Sequence, residues 1–309
     1  MPQEELEFGE PEFLGWLLLT RLKNQSDDQI SRSKFLKLCC IADRRLIESQ
    51  GYEVGLPRYW YMYGELANEH EFSGRFYNAP HAIGWDGQQY IPKDLSFESF
   101  DLSEAGQEVI PEAVNWTVRN FGRESVEQIK QHQYEEYAEN EFIHQYSELR
   151  WLLNTIDLGK QDRLAKYEVG GESNEEYLKR QLDEMMAVYP GDEDRYGEVK
   201  SVYFRWDDTV RLMIDQSMEY SRIAEFLDAF ISVLSKTVLR FVYSQNISGE
   251  RLSDWKRDAK KEREEFTKTL GSMRSKLLKR RSRSTELDSV SDAYSQAVNE
   301  KIKNISHQE

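Results

Sequence analysis

The sequence predicts a mainly α-helical protein: α with a small antiparallel β-ribbon near the N-terminus, a multi-helix body, and a C-terminal helical hairpin or coiled-coil arm. Three observations predict it. Beyond residue 102, apolar residues recur at spacings of three and four, the period of a helix face. Strand composition is confined to two short stretches before residue 95. From residue 249 onward the chain turns basic and takes on a near-heptad apolar pattern. These changes divide the chain into 1–100, a helix-plus-ribbon domain; 101–248, a helical body; and 249–309, an arm.

Taken in order, the stretch "PEFLGWLLLTRLK" (11–23) reads as an amphipathic helix with Pro11 in its first turn. Ser31 caps a second helix that runs to about Gln50, where Gly51 stops it. "PRYWYMYG" (57–64) reads as a strand, with Arg58, Trp60 and Met62 on one face and Tyr59, Tyr61 and Tyr63 on the other. "IGWDGQQYI" (83–91) reads as a hairpin with a type I′ turn at Asp86-Gly87. Helices follow over 102–121, 123–138, 140–156, 174–189, 193–216, 218–246, 250–280 and 286–304. Tyr196, Val199, Tyr203, Trp206, Val210 and Met213 form one core stripe. Ile223, Leu227, Phe230, Leu234, Val238 and Phe241 form another, and Phe226, Ile231 and Val242 flank it, which makes 218–246 the most buried helix.

The arm carries Leu252, Trp255, Ala259, Phe266, Leu270, Met273 and Leu277, a stripe interrupted by Glu262. After "KRRSRS" a second stripe runs through Leu287, Val290, Tyr294, Ala297 and Ile302. Arg251–Arg283 holds 13 Lys or Arg against five Asp or Glu, a net of +8, so the rest of the chain sums to −23. The arm is expected to pack on itself, on the body, or on a second copy as a homo-oligomer.

Composition excludes several classes. In a chain of 309 residues, a net charge of −15 argues against a nucleic-acid coat, and no run of apolar residues approaches a membrane span. A cytoplasmic location is expected, with no membrane partner. The two cysteines, Cys39 and Cys40, are adjacent and exclude a disulfide framework or a multi-cysteine zinc site.

The helix over 31–50 holds the most informative anomaly. Phe35, Leu36, Leu38, Cys39, Cys40, Ala42, Leu46 and Ile47 cover one arc of its wheel. Lys34, Lys37, Arg44, Arg45 and Glu48 lie outward. Asp43 falls inside the apolar arc, where a carboxylate must be paired, hydrogen-bonded or neutralised. Arg58 is the nearest cation in sequence, so an Asp43–Arg58 ion pair is expected to lock helix to ribbon, with a buried Tyr hydroxyl or a backbone amide as the other donors open to Asp43.

These residues resemble the opening of the Panacea domain, the SocA-like antitoxin family. There a "K-L-L-Y-x-A-D" helix precedes a glycine and an "R-Y-x-x-x-x-Y-G-P" strand. Lys37, Leu38, Ala42, Asp43, Gly51, Arg58, Tyr59, Tyr63 and Gly64 match that pattern, within about residues 30–70. Glu65 stands where the family has proline. The resemblance implies a helical domain with a small β-element that binds and restrains a partner protein without catalysing a reaction.

No catalytic constellation is written locally. The five histidines form no HExxH, and "EHE" (69–71) holds ligands only if a loop folds back. GxSxG, P-loop and GxGxxG motifs are absent. In "RWDD" (205–208), Asp207 borders the core stripe and has Arg205 and Arg211 within reach, whereas Asp208 turns outward. No metal or cofactor is expected. The first functional expectation is therefore a non-enzymatic protein-interaction module, antitoxin-like or adaptor, that meets a protein partner through Tyr59, Tyr61, Tyr63, Lys37, Arg44 and Arg45. The alternative is a winged-helix-like DNA-binding regulator that uses the basic face of helix 31–50, a nucleic-acid reading disfavoured by the net charge. A third is an enzyme assembled from distant carboxylates, with Asp43 the first place to look. The basic patch Lys276, Lys279, Arg280, Arg281 and Arg283 reads as cations at a helix C-terminus, or as a surface for an acidic protein or nucleic acid.

Overall fold

The computed structural model describes residues 8–25, 29–61, 64–68, 82–85, 88–157, 173–242 and 249–306. Side chains are described up to 153 in the helix ending at Asp157 and up to 280 in the last helix. The fold is mainly α with two small antiparallel ribbons.

Helix α1 (Glu10–Gln25) buries Phe13, Leu14, Leu17, Leu18 and Leu22. Helix α2 (Arg32–Gln50) starts where the Ser31 hydroxyl accepts the Lys34 N–H at 3.3 Å. It ends at Gly51, whose φ of 63° is a left-handed conformation that a side chain would strain. Strand β1 (Arg58–Tyr61) pairs with β2 (Gly64–Ala67), with Trp60 opposite Glu65. "PRYWYMYG" is thus not one continuous strand: β1 ends at Tyr61, and Gly64, at φ 90°, already belongs to the return strand. Met62 and Tyr63 lie outside the described residues. Strands β3 (Ile83–Trp85) and β4 (Tyr90–Pro92) form the second ribbon. Trp85 pairs with Tyr90, so the strands are four residues apart rather than the two a type I′ turn needs. Asp86 and Gly87 lie outside the described residues.

Helices α3 (Glu104–Phe121), α4 (Val126–Tyr137), α5 (Glu141–Asp157) and α6 (Asn174–Ala187) follow. Capping boxes at Ser125/Gln128 and Ser173/Glu176 fix two of their starts. The expected helix 193–216 is two pieces, α7 (Asp194–Gly197) and α8 (Lys200–Asp215), separated by a turn at Glu198 and Val199. Helix α9 (Tyr220–Thr237) stops before 246. Val238 takes φ −126°, ψ −66°, and a 3₁₀ turn at Leu239–Phe241 completes the segment.

The last helix, α10, runs unbroken from Gly249 to Ser306, 58 residues. At about 1.5 Å per residue it is about 87 Å long. The helical-hairpin expectation fails here. "KRRSRS" contains neither Gly nor Pro, and Lys and Arg are good helix formers. Lys276, Lys279 and Arg280 are exposed in mid-helix, so they cannot complement a helix end. The side chains of Arg281 and Arg283 lie outside the described residues.

Packing divides the molecule differently from composition. One core joins α1, α2, both ribbons, α3 and Ile129 of α4. The other joins α5 to α9 and α10, and takes in Trp60 and Tyr134. Helix α3 therefore belongs with the N-terminal elements, and the change of core falls within α4, not at residue 100. The stripe from Tyr196 to Met213 is fully buried, and Trp206 stacks on Phe230 with ring centres 4.7 Å apart. Truncating Met213 of this stripe, fully buried, to alanine costs about 2–5 kcal/mol. In α10, Trp255, Phe266, Leu270 and Leu277 pack inward. The interruption at Glu262 is explained: its carboxylate meets Lys236 Nζ at 2.8 Å and accepts the Ser232 hydroxyl at 3.3 Å. No helix among the described residues is long and apolar enough to cross a membrane.

Candidate functional site

Lys37, Asp43, Arg44, Arg58, Glu65 and Gln133 build a largely buried ionic cluster beneath the first ribbon. The face of β1–β2 that carries Arg58, Trp60, Glu65 and Ala67 packs on α2 and α4. Trp60 sits edge-on to Tyr134 with ring centres 5.3 Å apart. Arg58 Nη1 donates to Asp43 Oδ2. Arg58 Nε also faces Glu65 Oε1 at 3.4 Å. Arg44 grips the same carboxylate with two bonds, Nε to Oε2 at 2.7 Å and Nη2 to Oε1 at 3.0 Å. Glu65 is completely buried, so both guanidiniums serve to offset its desolvation.

Lys37 is completely buried beside them. Its ammonium donates to Gln133 Oε1 at 2.8 Å, and Gln133 Nε2 donates to the Glu65 carbonyl at 3.1 Å. A Cβ on Gly64 would lie 2.6 Å from Gln133 Oε1 and 3.1 Å from Lys37 Nζ. Glycine is therefore required there twice, for its φ and for the approach of that amide.

Burial sets the electrostatics. It pushes the Asp43 carboxyl up to about 7 against the pull of Arg58. It lowers the Lys37 ammonium to about 7. Both thiols, Cys39 and Cys40, are driven well above the usual thiol range, which keeps them un-ionised at neutral pH.

The residues expected to meet a partner are placed as follows. Lys37 does not lie on the outward face of α2; it is inside the cluster. Arg44 is engaged by Glu65 and lies 4.6 Å from the centre of the Tyr137 ring. Arg45 lies over Trp116 at 4.7 Å. The basic face that a groove-reading helix needs is thus largely spent on contacts within the chain. Tyr59 and Tyr61 are half-buried. Tyr59 packs on Trp255 of α10 with ring centres 5.4 Å apart, so the arm covers part of the tyrosine face. Tyr63 and the "EHE" at 69–71 lie outside the described residues. Asp207 pairs with Arg211 at 2.8 Å, and Asp208 turns out to Arg274 at 2.9 Å.

Gln133, Arg240 and the role of Glu65 are not expected from the sequence, nor is the packing of Trp255, a residue of the arm's stripe, on Tyr59. Glu65 alone carried a local signal, an acid in the place of the family's proline. The others lie far away in the chain. Among the described residues no three His, Cys, Asp or Glu side chains are grouped to hold a metal. The cluster holds charge and geometry in place, with Asp43, Glu65 and Lys37 buried and the two guanidiniums at its edge partly exposed. No family model, curated protein or solved structure matches this chain.

Proposed function

We propose that the chain is a non-enzymatic protein-interaction module of the antitoxin or adaptor kind, a rigid helix-and-ribbon unit joined to a long helical arm that meets a protein partner. The observation that carries the reading is the arm. The last described side chain of α10 that packs in the core is Leu277, yet the helix continues to Ser306. Over that continuation the sequence places apolar residues at Leu287, Val290, Tyr294 and Ala297, three and four apart as in a helix–helix seam, with Ile302 five further on. The Panacea resemblance supports the other half of the reading. Lys37, Asp43, Arg58 and Gly64, four residues that carry it, meet in the buried cluster around Glu65, which keeps the ribbon at a fixed angle to α2.

The test is affinity purification of the tagged full chain from its native host, beside a variant carrying Leu287→Asp, Val290→Asp and Ile302→Asp. A stoichiometric protein partner, or a stable second copy, should accompany the parent and be absent from the variant. A parent that purifies alone and monomeric overturns the reading, as does a partner that the variant retains in full.

A further inference from the structure

A groove of about 450 Å³ opens between α10, the α7 turn and the C-terminal end of α9. Four cations line it, Arg195, Lys256, Lys260 and Arg263, against one carboxylate, Glu198. In a chain of net charge −15 the lining is locally basic, although Glu139 and Glu193, just outside it, pair with Arg195. Lys256, Lys260 and Arg263 share one face of α10 with Ala259, since the positions are three, four and seven apart. Phe241 and Leu252 add an apolar surface to the same groove.

The two kinds of cation are held differently. Arg263 Nη1 binds the Glu198 carbonyl at 3.3 Å and its carboxylate at 3.2 Å. Arg195 Nη2 pairs with Glu139 at 2.7 Å and with Glu193 at 3.3 Å. These contacts fix the guanidiniums and leave donors over, because each guanidinium has five. Lys256 and Lys260 are exposed, and no carboxylate among the described residues comes within ion-pair distance of either.

A fifth cation stands behind the apolar wall. Arg240 is 7% exposed and its guanidinium lies 5.5 Å from the Phe241 ring centre and 4.9 Å from that of Trp255. It donates to the carbonyls of Lys236 at 3.0 Å and Trp255 at 2.6 Å. Those are neutral acceptors, and the carboxylates of Asp258 and Glu262 act on its charge only through space.

We propose that this groove binds a small organic polyphosphate, with its phosphates among Lys256, Lys260 and the two arginines and its apolar or aromatic body against Phe241 and Leu252. Three points select that class. The groove's size falls within the roughly 300–1,000 Å³ of small-molecule sites. With Arg195 matched by Glu139 and Glu193 and Arg263 by Glu198, Lys256 and Lys260 remain, among the described residues, as two unmatched charges on the lining, more than a single carboxylate would neutralise. Forked arginines combined with mobile lysines suit clustered phosphate oxygens.

The experiment is titration calorimetry on the full chain at low salt with ATP, tripolyphosphate and an oligoglutamate peptide as probes. ATP should bind once per chain, and affinity should fall as salt rises. Lys256→Glu with Lys260→Glu, both at exposed positions, should weaken ATP by about tenfold or more while leaving the circular dichroism spectrum unchanged. Phe241→Ala should weaken ATP but leave tripolyphosphate unaffected. Three results overturn the proposal: no ATP binding up to about 1 mM, an affinity of only about −4 kcal/mol; equal binding by the double variant; or tighter binding of oligoglutamate than of ATP, which would make the groove a seat for an acidic protein segment.

Discussion

At the scale of single residues, the buried cluster makes a prediction about pH. Asp43 is the anomaly that the helical wheel exposes, and Arg58, fifteen residues on, is where the structure finds its counter-charge. Asp43 faces Arg58, Arg44, Glu65 and Glu53; Lys37 faces Gln133, Cys40, Lys130, Glu65 and Glu127. The folded pKa of Asp43 is raised from 3.8 to about 7, so its contribution is present below pH 3.8 and is lost as pH rises to 7. The folded pKa of Lys37 is lowered from 10.5 to about 7, so its contribution is present above pH 10.5 and is lost as pH falls to 7. Together they give a stability minimum near neutrality. At about 1.4 kcal/mol for each unit of pKa difference, each arm of that profile is bounded at roughly 4–5 kcal/mol. Urea unfolding across the pH range checks it. Asp43→Asn should flatten the acid arm and Lys37→Met the alkaline arm, each leaving the other in place. A minimum that neither substitution moves would show that other groups set it.

At the scale of elements, the arm is where local sequence and structure part. The caps of α2 are legible because Ser31 and Gly51 act on their own neighbours, and Asp43–Arg58 is legible because helix and strand are adjacent in the chain. Gln133 is not, because it comes to Lys37 across 96 residues. Nor is the partition of cores, because nothing in the composition of α3 says that it packs on α1 and α2. The break expected at "KRRSRS" falls where one apolar stripe gives way to a second, but a basic stretch without Gly or Pro does not stop a helix. The continuity of α10 is measurable as a distance. Spin labels at Ser272 and Lys301 should lie about 44 Å apart along an unbroken helix. A hairpin reversing at 281–285 would bring the two ends side by side, at less than half that separation.

At the scale of the whole molecule, two cores meet at Trp60 and Tyr134, and a long helix ties them together. Trp255 seats the start of that helix on the tyrosine face of the ribbon, and Lys236–Glu262, Asp208–Arg274 and the Gln216–Leu277 bond fasten it across α9 and α8. The residues first expected to receive a partner, Tyr59, Tyr61, Lys37, Arg44 and Arg45, are therefore largely occupied by the chain itself. That occupation moves the expected partner surface from the ribbon to the far half of the arm. Hydrogen exchange on the chain alone and on the complex purified from the native host tests this relocation most directly. Binding should slow exchange over residues 281–306 and leave β1 and β2 unchanged. Slowed exchange at the ribbon, with 281–306 unaltered, would contradict it.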